Sequence, residues 1–196
     1  MSHYYSEKQD SPLRLSSFRA CLRGNNFEFF TGAGVFSKSG LDEGSILLIE
    51  KCIMQDGWKI LDLGCGYGAV GIAVGKAFNS DVLMTDVNER ALMLAGMNAE
   101  KNNVSARVLK SDCYDSIKDE KFDAILVNPP QTAGKEVCLK MIADAHNFLK
   151  DGGILQLVAR HRKGGETLEK HMKSELGNVR EIAKKAGYRV YVSVKK

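Results

Sequence analysis

From residue 58 onward, short β-branched or apolar runs alternate with longer segments whose apolar positions recur every three to four residues. The runs predict strands over 58–62, 81–86, 106–109, 122–127, 153–159, 178–183 and 188–194. The longer periods predict helices over 69–78, where Val70, Ala73, Val74 and Ala77 share a face, and over 89–102, where Leu92, Ala95, Met97 and Ala99 mix with polar residues. Further helices are expected over 43–54, opened by Asp42 or Gly44, over 134–149 and over a basic stretch, 165–175; Asn88 is a candidate cap for the helix that follows it. Alternation of this kind specifies an α/β doubly wound sheet, mostly parallel, with helices on both faces. The last two strands are separated only by Lys184-Lys185-Ala186-Gly187. A parallel crossover needs about a dozen residues, so this pair must be an antiparallel hairpin. Two runs near the start, 13–20 and 27–31, split by Gly24-Asn25-Asn26, predict a small β-hairpin appended to the domain. Residues 1–196 are expected to form one domain, with 1–40 as hairpin and cap and 41–196 as the core.

Composition narrows the class. The 196 residues are 44% hydrophobic and 27% charged, the balance of an ordinary globular chain. No apolar run approaches the roughly 20 residues of a membrane helix, and Met1 to Tyr5 lacks the apolar core of a signal peptide, so a cytoplasmic location is expected. Cys21, Cys52, Cys65, Cys113 and Cys138 contain no C-x-x-C pair, and the four histidines are scattered; neither a disulfide framework nor a metal site is expected. Charge is divided unevenly. Residues 159–196 carry 11 Lys/Arg against 4 Asp/Glu, whereas residues 41–158 carry 12 against 17. Basic ends of that kind attract polyanions, because cations facing phosphates gain affinity by counterion release.

The first predicted strand of the alternating region runs into Gly64-Cys65-Gly66-Tyr67-Gly68-Ala69 and then a helix. Glycine at such a junction lets the backbone approach a ligand closely. Gly64, Gly66 and Ala69 also satisfy the dinucleotide pattern G-x-G-x-x-G/A, so the loop alone permits a nicotinamide-dependent oxidoreductase. Three carboxylates separate the readings. Asp62, just before the first glycine, can accept from a ligand ammonium or an ordered water. Asp86, at the end of the next strand, can accept two ribose hydroxyls, and Asp112, after the third, an adenine amino group.

After the strand ending at Val127 comes Asn128-Pro129-Pro130-Gln131. A residue before proline is held extended and the second proline has no amide donor, so the turn is stiff and Asn128 is presented in one orientation. An exocyclic amine on a base is a poor nucleophile because its lone pair is delocalised into the ring. If the Asn128 carboxamide oxygen and the Pro129 carbonyl each accept one N–H, the lone pair is re-aimed without a strong base.

The stretches Phe30-Thr31-Gly32-Ala33-Gly34-Val35-Phe36-Ser37, Gly40-Leu41-Asp42-Glu43-Gly44-Ser45, Leu61 to Gly68 and Asn128-Pro129-Pro130 resemble the small-subunit ribosomal RNA guanine-N2 methyltransferase family. With Ala133-Gly134-Lys135-Glu136-Val137 after the prolines, the chain resembles that family's single-domain archaeal-type relatives most, from about His3 to the end. The resemblance implies a class I methyltransferase (Rossmann-like) fold and S-adenosylmethionine as methyl donor. It places cofactor contacts at Gly64, Gly66, Asp86, Asp112 and Asn128, and closes the segment holding Phe36 and Ser37 over the donor's methionine end. Asp62, Cys65, Val87 and Cys113 complete the candidate cofactor set, and Asn128, Pro129 and Pro130 the catalytic one. Amino-methylating enzymes often carry an aromatic where this chain has Gln131, so the base must be clamped elsewhere; Tyr67, Phe36 and Arg162 are candidates. The expected partner is RNA, with Arg160, Arg162, Lys163, Lys170 and Lys173 holding phosphates and no metal or membrane involved. Alternatives are a protein-glutamine or small-molecule N-methyltransferase and a non-catalytic RNA-binding module.

Overall fold

A computed structural model describes residues 15–33, 35, 40–129 and 134–196. The expectations at Phe36, Ser37, Pro130, Gln131 and Ala133 lie outside these. In chain order the elements are β1 (Leu15–Leu22), β2 (Asn25–Gly32), α1 (Glu43–Lys51), β3 (Lys59–Leu63), α2 (Ala69–Phe78), β4 (Asp81–Asp86), α3 (Glu89–Lys101), β5 (Ala106–Lys110), β6 (Phe122–Val127), α4 (Lys135–Ala143), α5 (Ala145–Phe148), β7 (Leu149–Arg160), a 3-10 turn (His161–Lys163), α6 (Gly165–Leu176), β8 (Arg180–Lys185) and β9 (Tyr188–Val194).

Strands β3 to β9 form a seven-stranded sheet in the order β5-β4-β3-β6-β7-β9-β8. The first five run parallel, and β9 is antiparallel to both β7 and β8. From β3 the chain winds outward to β4 and β5 and then returns to place β6 on the opposite side, so a switch point opens between the carboxyl ends of β3 and β6. The helices cover both faces. Leu47, Leu48 and Ile49 of α1, Val70, Ile72 and Val74 of α2 and Leu94 of α3 fill one core. Met141 and Ile142 of α4, with Leu168, Met172 and Leu176 of α6, fill the other.

The hairpin is shifted from its expected register. Its turn is Arg23-Gly24, with φ of 46° and 75°, and Asn25 and Asn26 belong to β2, paired with Leu22 and Cys21. Two consecutive positive φ values suit the right-handed twist of a two-residue hairpin, and the β8–β9 turn, Ala186-Gly187, repeats them at 49° and 82°. The expected helix over 134–149 breaks at Asp144 into α4 and α5, and α1 stops at Lys51, three residues early.

Hairpin and domain are joined by two asparagines one helical turn apart. Asn98 on α3 donates to the Phe30 carbonyl (2.9 Å) and accepts from its N–H (2.7 Å); Asn102 does the same at Glu28, at 2.9 and 3.0 Å. The two carboxamides thus take the place of a neighbouring strand along the free edge of β2. Phe27 and Phe29 stack beneath, with ring centroids 5.5 Å apart.

Candidate functional site

A concavity of about 230 Å³ lies at the switch point. Its walls come from the β3–α2 loop, the ends of β4, β5 and β6, and the start of α1. The loop carries three glycines with positive φ, Gly64, Gly66 and Gly68. Two have different reasons to be bare. A Cβ on Gly66 would meet nothing within 4 Å, so its backbone is open to the cavity. A Cβ on Gly68 would stand 3.0 Å from the sulfur of Met84 and from Ile72 Cδ1; here the missing side chain lets α2 pack onto the sheet.

Asp62, Asp86 and Asp112 all line the cavity, as do Gly64, Cys65, Gly66, Val87, Cys113, Asn128 and Pro129. Every candidate cofactor residue within the described chain is therefore gathered at one place. Among the described lining residues there is no Lys, Arg or His, so the cavity carries negative charge without a cation of its own.

The acids are more committed to the fold than their spacing suggests. Helix α2 has glycine as its N-cap and no capping side chain; the Asp62 Oδ2 atom, reaching across from β3, accepts from Gly71 N–H at 2.7 Å and caps it instead. Burial pushes the Asp62 carboxyl up to about 7, against the lowering effect of that hydrogen bond, and the neighbouring Asp86 charge adds to the rise. Asp86 accepts from Gly66 N–H with Oδ2 and from Asn88 N–H with Oδ1, both at 2.9 Å, so it shapes the glycine loop and the entry to α3. Burial raises its pKa as well. Each oxygen keeps a second acceptor direction for a ligand. Asp112 is exposed at the rim. The Cys65 and Cys113 thiols are pushed up by burial, Cys113 to about 12, which keeps both protonated and excludes them as nucleophiles at neutral pH.

Asn128 is held by a relay that its own motif does not contain. Its Nδ2 donates to Ser45 Oγ at 2.9 Å and to Asp42 Oδ2 at 3.3 Å, while Ser45 Oγ donates to Asp42 Oδ2 at 2.6 Å. Asp42 also caps α1, its Oδ1 accepting from Gly44 N–H (2.9 Å) and Ser45 N–H (3.1 Å). A carboxylate can only accept, so the amide nitrogen must face it and the Asn128 oxygen must turn away. The Gly40 to Ser45 stretch signalled these residues, but its pairing with Asn128, 83 positions from Ser45, is visible only in the fold.

Of the clamp candidates, Tyr67 is 4% exposed and its ring packs edge-on against Phe18 and Phe29, with centroids 6.0 and 6.1 Å apart. It belongs to the hairpin's aromatic core and also lines the cavity. Arg162 lines a separate cleft, beside Arg160 and Lys163; Lys170 and Lys173 do not line it, and Lys170 pairs with Glu166 at 2.8 Å.

A family model described as "Methyltransferase small domain" matches residues 26–192. The Bacillus subtilis (strain 168) protein YbxB is 35% identical over 192 residues, covering 95% of this chain and 94% of its own. The "Ribosomal RNA small subunit methyltransferase C" of Hahella chejuensis is 34% identical over 177 residues, 87% of this chain but 50% of that protein. Among solved structures, the T. thermophilus 16S rRNA N2 methyltransferase RsmC, in complex with AdoMet and guanosine, superimposes with a TM-score of 0.82 at 25% identity, covering 96% of this chain and 53% of that one. This chain spans about half the length of the relatives named for ribosomal RNA methylation. Among the described residues no helix is long and apolar enough to cross a membrane.

Proposed function

Because the chain belongs to the methyltransferase small domain family, we propose that it transfers a methyl group from S-adenosylmethionine to an exocyclic amino group of an RNA base, guanine N2 of ribosomal RNA being the acceptor that its relatives' names favour. The whole chain then works as one catalytic unit in the cytoplasm. The observation that carries the reading is the cavity's charge: three carboxylates and no lining cation among the described residues. Such a wall suits a cationic sulfonium with an ammonium and opposes the pyrophosphate of a nicotinamide dinucleotide.

The residues fit that donor. The open backbone at Gly66 would admit it, Asp62 would hold its ammonium, Asp86 its ribose hydroxyls and Asp112 its adenine amino group, with Gly64, Cys65, Val87 and Cys113 also lining the cavity. Phe36 and Ser37, expected from the sequence to close the methionine end, lie outside the described residues. When bound, S-adenosylmethionine supplies a methyl group made electrophilic by its sulfonium. The protein's own task is to aim the acceptor. With both Asn128 N–H groups engaged by Ser45 and Asp42, the Asn128 oxygen and the Pro129 carbonyl accept the two N–H groups of the target amine. Its lone pair would then point into the cavity; Pro130, expected from the sequence to stiffen this turn, lies outside the described residues.

Incubating the protein with methyl-labelled S-adenosylmethionine and either ribosomal RNA or cell protein tests this. Label should enter RNA, in a modified guanine. Asn128→Ala should lower kcat by about two to three orders of magnitude with the affinity for S-adenosylmethionine unchanged, and Ser45→Ala by a smaller factor, with kcat rather than KM affected. Label in a protein glutamine alone, or an active Asn128→Ala, overturns the reading.

A further inference from the structure

A second, more open cavity of about 490 Å³ lies between the 3-10 turn His161–Lys163 and the β8–β9 turn. Arg160, Arg162, Lys163, Lys184 and Arg189 line it, with no carboxylate among the described lining residues. Arg189 is paired with Glu181 at 2.6 Å, and Arg160 Cζ lies over the ring of Tyr188, 4.9 Å from its centroid. Arg162, Lys163 and Lys184 are exposed.

The cleft is next to the methylation site. Arg160 ends β7, the strand beside β6, and Tyr188 begins β9. The Tyr188 ring sits against the first turn of α1, so close that a Cβ on Gly44 would come within 2.8 Å of it; Asp42 and Ser45, flanking Gly44, hold Asn128. Lys185, in the same hairpin, reaches Glu43 of that turn at 3.2 Å. A chain laid along the cleft therefore leads to Asn128 across one helical turn.

We infer that this cleft binds the sugar-phosphate backbone of the RNA strand that carries the target base, positioning the strand so that one base reaches Asn128. The inference rests on the RNA methylation proposed above and gives that reaction its anchoring surface. Cations without an apolar anchor are the signature of phosphate contact; a protein partner would need a buried aromatic or aliphatic centre, and the Tyr188 ring in the cleft already faces Arg160. The site differs from the one that charge counting alone suggests. Lys170 and Lys173 drop out, and Lys184 and Arg189 enter from a different strand pair.

The test is the binding of a fluorescein-labelled single-stranded oligoribonucleotide by fluorescence anisotropy between 50 and 300 mM KCl. The double variant Arg162→Gln, Lys184→Gln should weaken binding and flatten the plot of log K against log salt by about 1.4, since each single-strand phosphate contact contributes about 0.7. A control with the same loss of charge elsewhere, Lys51→Gln at the far end of α1 with Lys173→Gln, should leave the slope near the wild-type value. All forms should bind S-adenosylmethionine equally, which shows that they are folded. A cleft variant no weaker than the control, or a cleft that prefers a polyglutamate peptide to RNA, overturns the inference. Failure of the wild-type protein to methylate any RNA, with the cleft-dependent slope intact, would instead refute the proposed reaction and leave the phosphate cleft standing.

Discussion

Asp62 has two oxygens and two obligations. One oxygen caps α2 through Gly71, and the residue also lines the cavity, where the proposed donor ammonium would lie. Burial has raised its pKa to about 7, well above an ordinary Asp. A carboxyl raised in the folded state keeps a proton that the unfolded chain releases, so its effect on stability is favourable at low pH and is lost as pH rises from about 4 through about 7. Ligand binding runs the other way, because an ammonium selects the charged form and binding below pH 7 must expel a proton. The affinity for S-adenosylmethionine should therefore rise about tenfold per pH unit up to pH 7 and then level off. Asp62→Asn should bind more weakly with a flat profile. Calorimetry at several pH values between 5.5 and 8.5 measures both, and a flat wild-type profile would remove Asp62 from the ammonium contact. The sequence made Asp62 legible as an acid beside the glycine loop. Its capping of α2 was not, because a strand residue nine positions upstream of the N–H it serves leaves no local pattern.

At the scale of elements, the attachment of the hairpin to α3 depends on two side chains standing in for a strand. Asn98 also donates to the Tyr67 carbonyl at 2.9 Å, which ties the hairpin edge to the glycine loop. Asn98→Ala should leave the Phe30 N–H and the Phe30 and Tyr67 carbonyls without that partner. A cost of roughly 2–4 kcal/mol follows if about two of the three stay unsatisfied, seen as a lower urea midpoint. Asn102→Ala should cost less at the glycine loop, because its contacts end at Glu28 and within α3. A fully stable Asn98→Ala protein would show that the hairpin is held by Phe27 and Phe29 alone. The periodicity of 89–102 placed this helix to within a residue, and Asn88 caps it as its position suggests. What periodicity does not separate is a polar position facing water from one facing a strand edge: Asn98 and Asn102 are both buried. The hairpin register slipped for a related reason, since Gly24-Asn25-Asn26 is turn-rich throughout and Arg23 gives no hint that it takes a positive φ.

For the molecule as a whole, the cavity belongs to the folded state, so its ligand must stabilise that state. Saturation to about 100 times Kd contributes about 2.7 kcal/mol, and a chain of this size gains about 2–4 °C per kcal/mol. S-adenosylmethionine should thus raise Tm by about 5–10 °C in differential scanning fluorimetry, with NADH leaving it unchanged. The reverse pattern would sink the assignment of the cavity. The parallel order and the closing antiparallel hairpin were legible because Lys184 to Gly187 is too short for a crossover. The convergence of Asp62, Asp86, Asp112 and Asn128 followed from their shared place at strand ends. The cationic cleft did not follow, because α6 carries Lys170 back onto Glu166 while a hairpin distant in sequence supplies Lys184 and Arg189.

The bare backbone at Gly44 has a mechanical meaning. It is wedged between the Tyr188 ring and the Asp42 carboxylate, 2.8 and 2.9 Å from where a methyl group would stand, so a single alanine there would jostle both neighbours at once. Under the proposed reaction and anchoring, the vacancy would act as a shared bearing: a ring nudged from outside would press, across one atom's width, on the carboxylate that orients Asn128.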